Sequence, residues 1–135
     1  MPHHAQCQCG QLSVTASAEP EMMTTCSCTQ CQRRTGSAFT WGVFFRRDVF
    51  TVTGTAKSWT RDTHDGRTLT NYFCADCGTN VYWEPDLRPE HVGVAGGCVT
   101  TELPEPGSTI FTSEKQPWVT FPDHWPRFKR SVAEG

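Results

Sequence analysis

Seven of the chain's eight cysteines fall in three tight clusters, Cys7-x-Cys9, Cys26-x-Cys28-x2-Cys31 and Cys74-x2-Cys77, while Cys98 stands alone. No other feature of the sequence constrains the fold as strongly. Zinc takes four ligands in a tetrahedron, with sulfur at about 2.3 Å, and two cysteines one to four residues apart fill two corners from a single turn. Seven thiols then divide as four plus three: one closed site and one set that is a ligand short. The same cysteine density in a small exported protein would indicate disulfides. The stretch Met1-Pro2-His3-His4-Ala5-Gln6-Cys7 has neither the basic region nor the apolar core of a signal peptide. The expectation is a reducing, cytoplasmic setting in which thiols hold metal.

Glycine sorts the clusters. Cys9 is followed by Gly10 and Cys77 by Gly78, whereas Cys31 is followed by Gln32. A tight ligand turn favours a positive φ just after its second thiolate, so that backbone N–H groups face sulfur, and glycine adopts that conformation without strain. Cys7, Cys9, Cys74 and Cys77 are therefore paired as a structural zinc site, although a scan for matching C-x2-C pairs would join Cys28/Cys31 to Cys74/Cys77. Cys26, Cys28 and Cys31 remain, with three readings open. They form a second structural site completed by a histidine or by Cys98, a reactive zinc with an exchangeable fourth position, or a thioredoxin-like pair at Cys28/Cys31, for which no βαβ pattern is present.

Around the cysteines the pattern is that of short strands. Leu12, Val14 and Ala16 alternate with polar residues, as do Phe39, Trp41 and Val43, and further strands are expected within 49–59, 69–73, 80–83 and 92–99. The best helical candidates are single turns at 29–34 and 86–90. The fold class is thus all-β with little helix, in one domain spanning 1–135 with an ordered core over about 5–128. With 36% hydrophobic residues in 135 the core is thin, and metal sites would supply stability. Twelve basic against fourteen acidic residues leave a net charge of −2, with no basic footprint for nucleic acid. The longest apolar stretch, Val43-Phe44-Phe45, is far too short for a membrane-spanning helix.

The motifs Cys7-Gln8-Cys9-Gly10, Cys26-Ser27-Cys28-Thr29-Gln30-Cys31-Gln32-Arg33-Arg34-Thr35-Gly36 and Phe73-Cys74-Ala75-Asp76-Cys77-Gly78 together resemble the glutathione-dependent formaldehyde-activating (GFA) family, which includes the centromere-protein-V type domains. Ile110-Phe111, Lys115, Pro117-Trp118 and Trp125-Pro126-Arg127-Phe128 are similar to its closing segment. Thr109 stands where relatives often carry histidine. The resemblance implies a β-tent of small antiparallel sheets pinned by two zinc ions. It implies a structural ion on Cys7, Cys9, Cys74 and Cys77 and a catalytic one on Cys26, Cys28 and Cys31. The implied activity is carbon–sulfur bond formation and cleavage, joining glutathione as cosubstrate to formaldehyde as S-hydroxymethylglutathione, so the implied partners are a small-molecule thiol and an aldehyde.

Glutathione carries two carboxylates, and Arg33 and Arg34 directly after Cys31 are the candidates to bind them, because guanidinium suits bidentate carboxylate recognition. Lys115 is a weaker candidate. His3 and His4 are expected at an unstructured end, His64 in an exposed hairpin turn, and His91 and His124 in structural pairs. Cys98 is expected as a small buried hydrophobe, and Trp41, Trp83, Trp118 and Trp125 as packing. The alternative function is a non-catalytic, zinc-stabilised module that binds a protein partner.

Overall fold

A computed structural model describes residues 2–63 and 65–131; the turn expected at His64 lies outside the described residues. The chain is mostly β. In chain order the strands are β1 (His3–Gln6), β2 (Ser13–Ala16), β3 (Met22–Cys26), β4 (Thr40–Arg46), β5 (Phe50–Thr53), β6 (Ala56–Asp62), β7 (Thr68–Cys74), β8 (Asn80–Pro85), β9 (His91–Ala95) and β10 (Thr109–Ile110). One short helix, α1 (Thr29–Thr35), and three 3-10 turns at Arg47–Val49, Gly96–Cys98 and Thr112–Glu114 complete the elements among the described residues.

The backbone divides into two compact units, each built from two separated stretches of chain: Met1–Glu21 with Val43–Leu103, and Met22–Gly42 with Pro104–Gly135. In the first unit, β1, β2 and β5 form a small antiparallel sheet in which Val14 lies opposite both Ala5 and Val52. Alternation sends Ala5, Val14 and Ala16 inward and leaves Thr15 and Thr53 to solvent. A second antiparallel run follows the order β9-β8-β7-β6. Its central strand β8 buries Val81, Tyr82 and Trp83 in succession, with Val92 and Val94 of β9 equally buried. Fully buried Leu12, Val43 and Phe45 complete this core.

The second unit is different in composition. Its buried side chains are those of Thr24, Thr25, Cys26, Ser27, Cys28, Cys31, Thr40, Thr109, Val119 and Phe121, so sulfur and hydroxyl groups fill much of the volume that aliphatic carbon fills in the first. β10 pairs with β3 in parallel, placing Thr109 opposite Thr25 and Ile110 opposite Cys26. Three of the buried hydroxyls are paired: Thr25 Oγ1 donates to Thr109 Oγ1 at 2.7 Å, and Thr24 Oγ1 accepts from half-buried Ser108 Oγ at 2.9 Å.

Four expectations need correction. The stretch 86–90 is not a helix. Pro89 lacks an N–H and restrains Arg88, and two turns form instead, closed by Arg88 N–H to Pro85 O at 3.2 Å and His91 N–H to Arg88 O at 3.0 Å. The single strand expected over 49–59 is broken into β5 and β6 at Gly54. His3 and His4 are not unstructured: both lie in β1, and the His3 ring is 5% exposed between Thr101 Oγ1 at 2.7 Å and Glu19 Oε1 at 3.0 Å. Trp118 is not packing, since it is 77% exposed.

Candidate metal centres

The first unit brings Cys7, Cys9, Cys74 and Cys77 together, all four sulfurs within 4.8 Å of one another. Two knuckles of like design present them. In one, Cys7 N–H donates to Leu12 O at 3.0 Å and Gly10 N–H returns to Cys7 O at 3.2 Å; in the other, Cys74 N–H donates to Thr79 O at 2.9 Å and Gly78 N–H returns to Cys74 O at 3.0 Å. Gly10 and Gly78 hold φ of 83° and 80°, the left-handed region that lets the chain reverse right behind the ligands. The reversal aims backbone N–H groups at sulfur: Leu12 N–H at Cys7 Sγ (3.4 Å), and Asp76 and Cys77 N–H at Cys74 Sγ (3.3 and 3.4 Å). Gln11 Nε2 adds a side-chain donor to Cys74 Sγ at 3.1 Å.

These donors sort the protons. The Thr79 hydroxyl, its backbone N–H and that of Cys9 draw the Cys77 thiol down to about 5. Burial pushes Cys74 up, but the N–H groups of Cys77 and Asp76 and the Gln11 amide together hold it below its ordinary value. Cys9 goes the other way. Although Gln11 N–H favours its thiolate, burial and the three neighbouring sulfurs push it up to about 12. A cation bound here would displace the protons that the thiols hold.

A zinc ion fits here. A tetrahedron with zinc–sulfur bonds of about 2.3 Å has sulfur–sulfur edges of about 3.8 Å; Cys7–Cys9 and Cys9–Cys74 measure 3.6 and 3.7 Å. All eight cysteines are free thiols.

The second unit carries the trio Cys26, Cys28 and Cys31, again within 4.8 Å, and no fourth histidine, cysteine or carboxylate joins it among the described residues. Cys26 ends β3, Cys28 is the N-cap of α1, and Cys31 is the buried residue of that helix. Cys28 Sγ takes the capping role that a serine or aspartate oxygen usually fills, accepting Cys31 N–H at 3.3 Å. The helix is held in place by Glu114, whose Oε1 accepts both the N–H and the hydroxyl of Thr29 at 2.8 Å, and by Gln32 Nε2, which donates to Ser27 O at 2.7 Å and Glu114 O at 3.0 Å. Hydrogen bonding to Cys28 and Cys31, together with burial, pushes the Cys26 thiol far above its ordinary value. Cys31 is pushed up to about 11: a hydrogen bond from Cys26 favours its thiolate, but the contact with Cys28 and burial outweigh it. Three sulfurs so close suit a thiophilic cation, which would replace the protons they otherwise keep.

Arg33 and Arg34 part company. Arg34 turns inward, donating to Thr40 Oγ1 at 2.7 Å, and its charge favours the Cys31 thiolate; Arg33 is exposed. Lys115 is committed elsewhere, its Nζ donating to Val119 O at 2.9 Å. His91 and His124 form the expected structural pairs, with Glu21 at 2.7 Å and Glu105 at 2.5 Å. Cys98 is half-buried in the first unit, its sulfur 3.9 Å from Asn80 O, and burial pushes its thiol up.

Sequence reasoning gave the residues that support the trio no role beside it, Ile110 and Phe111 entering only as part of the closing motif. Ile110 and Phe111 pack against the three cysteines. Ser27, fully buried between two of them in sequence, has a hydroxyl with no partner among the described residues. Gln32 and Glu114 had no signal at all, because they act across 82 and 85 residues of chain.

A family profile described as "Glutathione-dependent formaldehyde-activating enzyme" matches residues 2–114. The match takes in all seven clustered cysteines, Arg33, Arg34 and Ile110-Phe111, and it stops at Glu114, before Lys115, Pro117-Trp118 and the rest of the closing segment. No curated protein matches the chain. Among solved structures, the crystal structure of a Rhodobacter sphaeroides protein superposes with a TM-score of 0.56 at 21% identity, covering 75% of this chain and 91% of that one. At that identity the likeness is one of fold.

Proposed function

The chain belongs to the glutathione-dependent formaldehyde-activating family, and from that premise we propose that it is a zinc-dependent carbon–sulfur lyase that forms or cleaves a glutathione–aldehyde adduct such as S-hydroxymethylglutathione. In the forming direction the thiol sulfur bonds to the aldehyde carbon, the carbonyl π bond breaks, and the thiol proton ends on the oxygen. Cys7, Cys9, Cys74 and Cys77 would hold a structural zinc; Cys26, Cys28 and Cys31 would hold the zinc of the reaction. Held by those three thiolates, the ion would supply Lewis acidity that favours the thiolate form of a thiol at neutral pH, where a free thiol with a pKa near 8.5 is mostly protonated.

The chain's own residues do the rest. α1 and the end of β3 fix the three sulfurs before any substrate arrives, with Cys31 N–H already directed at Cys28 Sγ. Arg34, whose charge reaches Cys31, is the residue we assign to a glutathione carboxylate, and exposed Arg33 would meet the other from solvent. Ile110 and Phe111 keep bulk water from the sulfurs. We place the reaction in the cytoplasm, where thiols stay reduced, with the chain working as one functional domain over 1–135.

The observation that carries this reading is the asymmetry of the two clusters, four sulfurs in one and three in the other among the described residues. The burial of all three trio cysteines, 5–8% exposed, favours the second reading, a non-catalytic zinc-stabilised binding module. The two separate on metal exchange and turnover. Purified protein is assayed for zinc content and for acceleration of adduct formation between glutathione and formaldehyde, followed by NMR. Two zincs, one readily exchanged, with acceleration lost in Cys28→Ser, support the lyase. Two equally inert zincs and no acceleration leave the module.

A further inference from the structure

Ile110 and Phe111 pack against the trio, and the two are held in different ways. Ile110 is fixed by the sheet: it lies opposite Cys26 in the β10–β3 pairing, and its carbonyl accepts Ser27 N–H at 3.2 Å. Phe111 follows with φ 55° and ψ 40°, the one non-glycine residue with positive φ among the described residues. That conformation costs an aromatic residue about 1–3 kcal/mol.

The left-handed turn has a definite geometric result. Had the backbone run on as a strand, the side chain at 111 would have pointed to the opposite face from Ile110. With the turn, both residues pack against the cluster of Cys26, Cys28 and Cys31. The chain holds the strained residue from both sides. Phe111 N–H donates to Arg130 O at 3.0 Å, its carbonyl accepts Glu114 N–H at 3.1 Å, and Thr112 N–H donates to Phe128 O at 3.2 Å. Strain kept up by this many hydrogen bonds, at a cluster where chemistry is proposed, marks a ring whose position matters more than its stability.

Resting on the lyase reading above, we infer that Phe111 is the specificity-determining residue of the three-thiol site, its ring the wall that limits the group carried on the reacting aldehyde carbon to a small one. The substrate class is therefore short, unbranched aldehydes. A carbon bonded to a sulfur held at the trio must sit beside whatever covers it. Ile110 is built into β10, so position 111 is where side-chain size can set how much space that carbon has.

The test compares zinc-loaded wild type with Phe111→Ala, Phe111→Leu and Phe111→Gly, using glutathione with formaldehyde or propanal. Each methylene accommodated is worth about tenfold or more in kcat/KM. The propanal-to-formaldehyde ratio should therefore rise at least about tenfold in Phe111→Ala, and less in Phe111→Leu. Phe111→Gly removes the ring and relieves the positive φ together, so it keeps the comparison valid if the alanine variant is unstable. An unchanged ratio in folded variants overturns the proposal. A separate measurement distinguishes failure of the lyase reading. If wild type turns over no aldehyde, that reading falls, and the wall is judged by zinc extraction with a bulky and a small chelator. Faster extraction of one zinc by the bulky chelator in Phe111→Ala, with the four-thiol zinc unchanged as control, upholds the wall, and unchanged rates overturn it.

Discussion

Cys77 and Cys28 offer the same sulfur atom to a metal, yet their surroundings predict different consequences of losing it. Cys77 is drawn down to about 5 by Thr79 and by backbone N–H groups, which suits it to be the fourth thiolate of the proposed structural zinc with Cys7, Cys9 and Cys74. Cys77→Ser should lower the melting temperature by roughly 10 °C or more, or prevent folding, as followed by circular dichroism. Cys28→Ser keeps a capping oxygen for Cys31 N–H, so the fold should survive while thiol–aldehyde activity is lost. Equal collapse of both variants would refute the division of roles. A third prediction concerns pH. Burial pushes the Glu84 carboxyl up, but the Tyr72 hydroxyl at 2.5 Å and the Arg47 guanidinium outweigh it and hold the group below the usual carboxylate range. A depressed carboxyl contributes stability that is fully present above its unfolded pKa, near 4.3, and is lost as pH falls through the lower folded value. In Glu84→Gln the stability–pH curve should therefore be flatter on its acid side and lower near neutral pH. An acid limb identical to wild type would contradict this.

Among the elements, the β5–β6 connection makes the sharpest mutational test. Gly54 holds φ 102°, and a Cβ there would sit 1.9 Å from the Gln11 carbonyl oxygen. Gln11 also clasps the turn with its side chain, Nε2 donating to Thr55 O at 2.6 Å and Oε1 accepting Thr55 N–H at 2.9 Å. Gly54→Ala must therefore move backbone as well as bear an unfavourable φ, and should cost about 3 kcal/mol or more in chemical denaturation. Gly78→Ala has nothing within 4 Å of its Cβ and should cost only the φ strain, about 1 kcal/mol. The same elements show what was legible beforehand. β2 could be read from its period-two alternation, and β7 from its threonine and aromatic content; β4 was placed, but it buries Thr40 and Gly42, which the expected alternation put on the polar face. The glycines behind Cys9 and Cys77 grouped four sulfurs that the fold does bring together. β3 was hidden because Met22-Met23-Thr24-Thr25-Cys26 buries consecutive residues and has no alternation. β10 is two residues long and exists through a parallel partner 84 residues away, a pairing that no local pattern announces. Phe111, one residue further on, was visible only as part of a closing motif, because its significance lies in a dihedral angle.

At the scale of the whole molecule the two clusters bear differently on the chain. The first unit is assembled from Met1–Glu21 and Val43–Leu103, and its four sulfurs come two from each stretch, with Cys9 and Cys74 65 residues apart. Closing a loop of that length in the unfolded chain costs about 4 kcal/mol of entropy, which the proposed metal there would offset. The trio lies within six residues of one stretch, and a metal there would close almost no loop. The second unit is also joined from two stretches, but hydrogen bonds across them, Thr25 to Thr109 and Thr29 to Glu114, do so without any ion. Stepwise chelation of the zinc-loaded protein should thus resolve into two phases. The first equivalent should leave with the far-ultraviolet β signal intact and thiol–aldehyde activity gone. The second should leave together with that signal, in one cooperative transition. Simultaneous loss of both metals with the fold, or a β signal that outlasts both, would mean that the four-thiol ion is not what ties the amino-terminal segment to the rest of its unit.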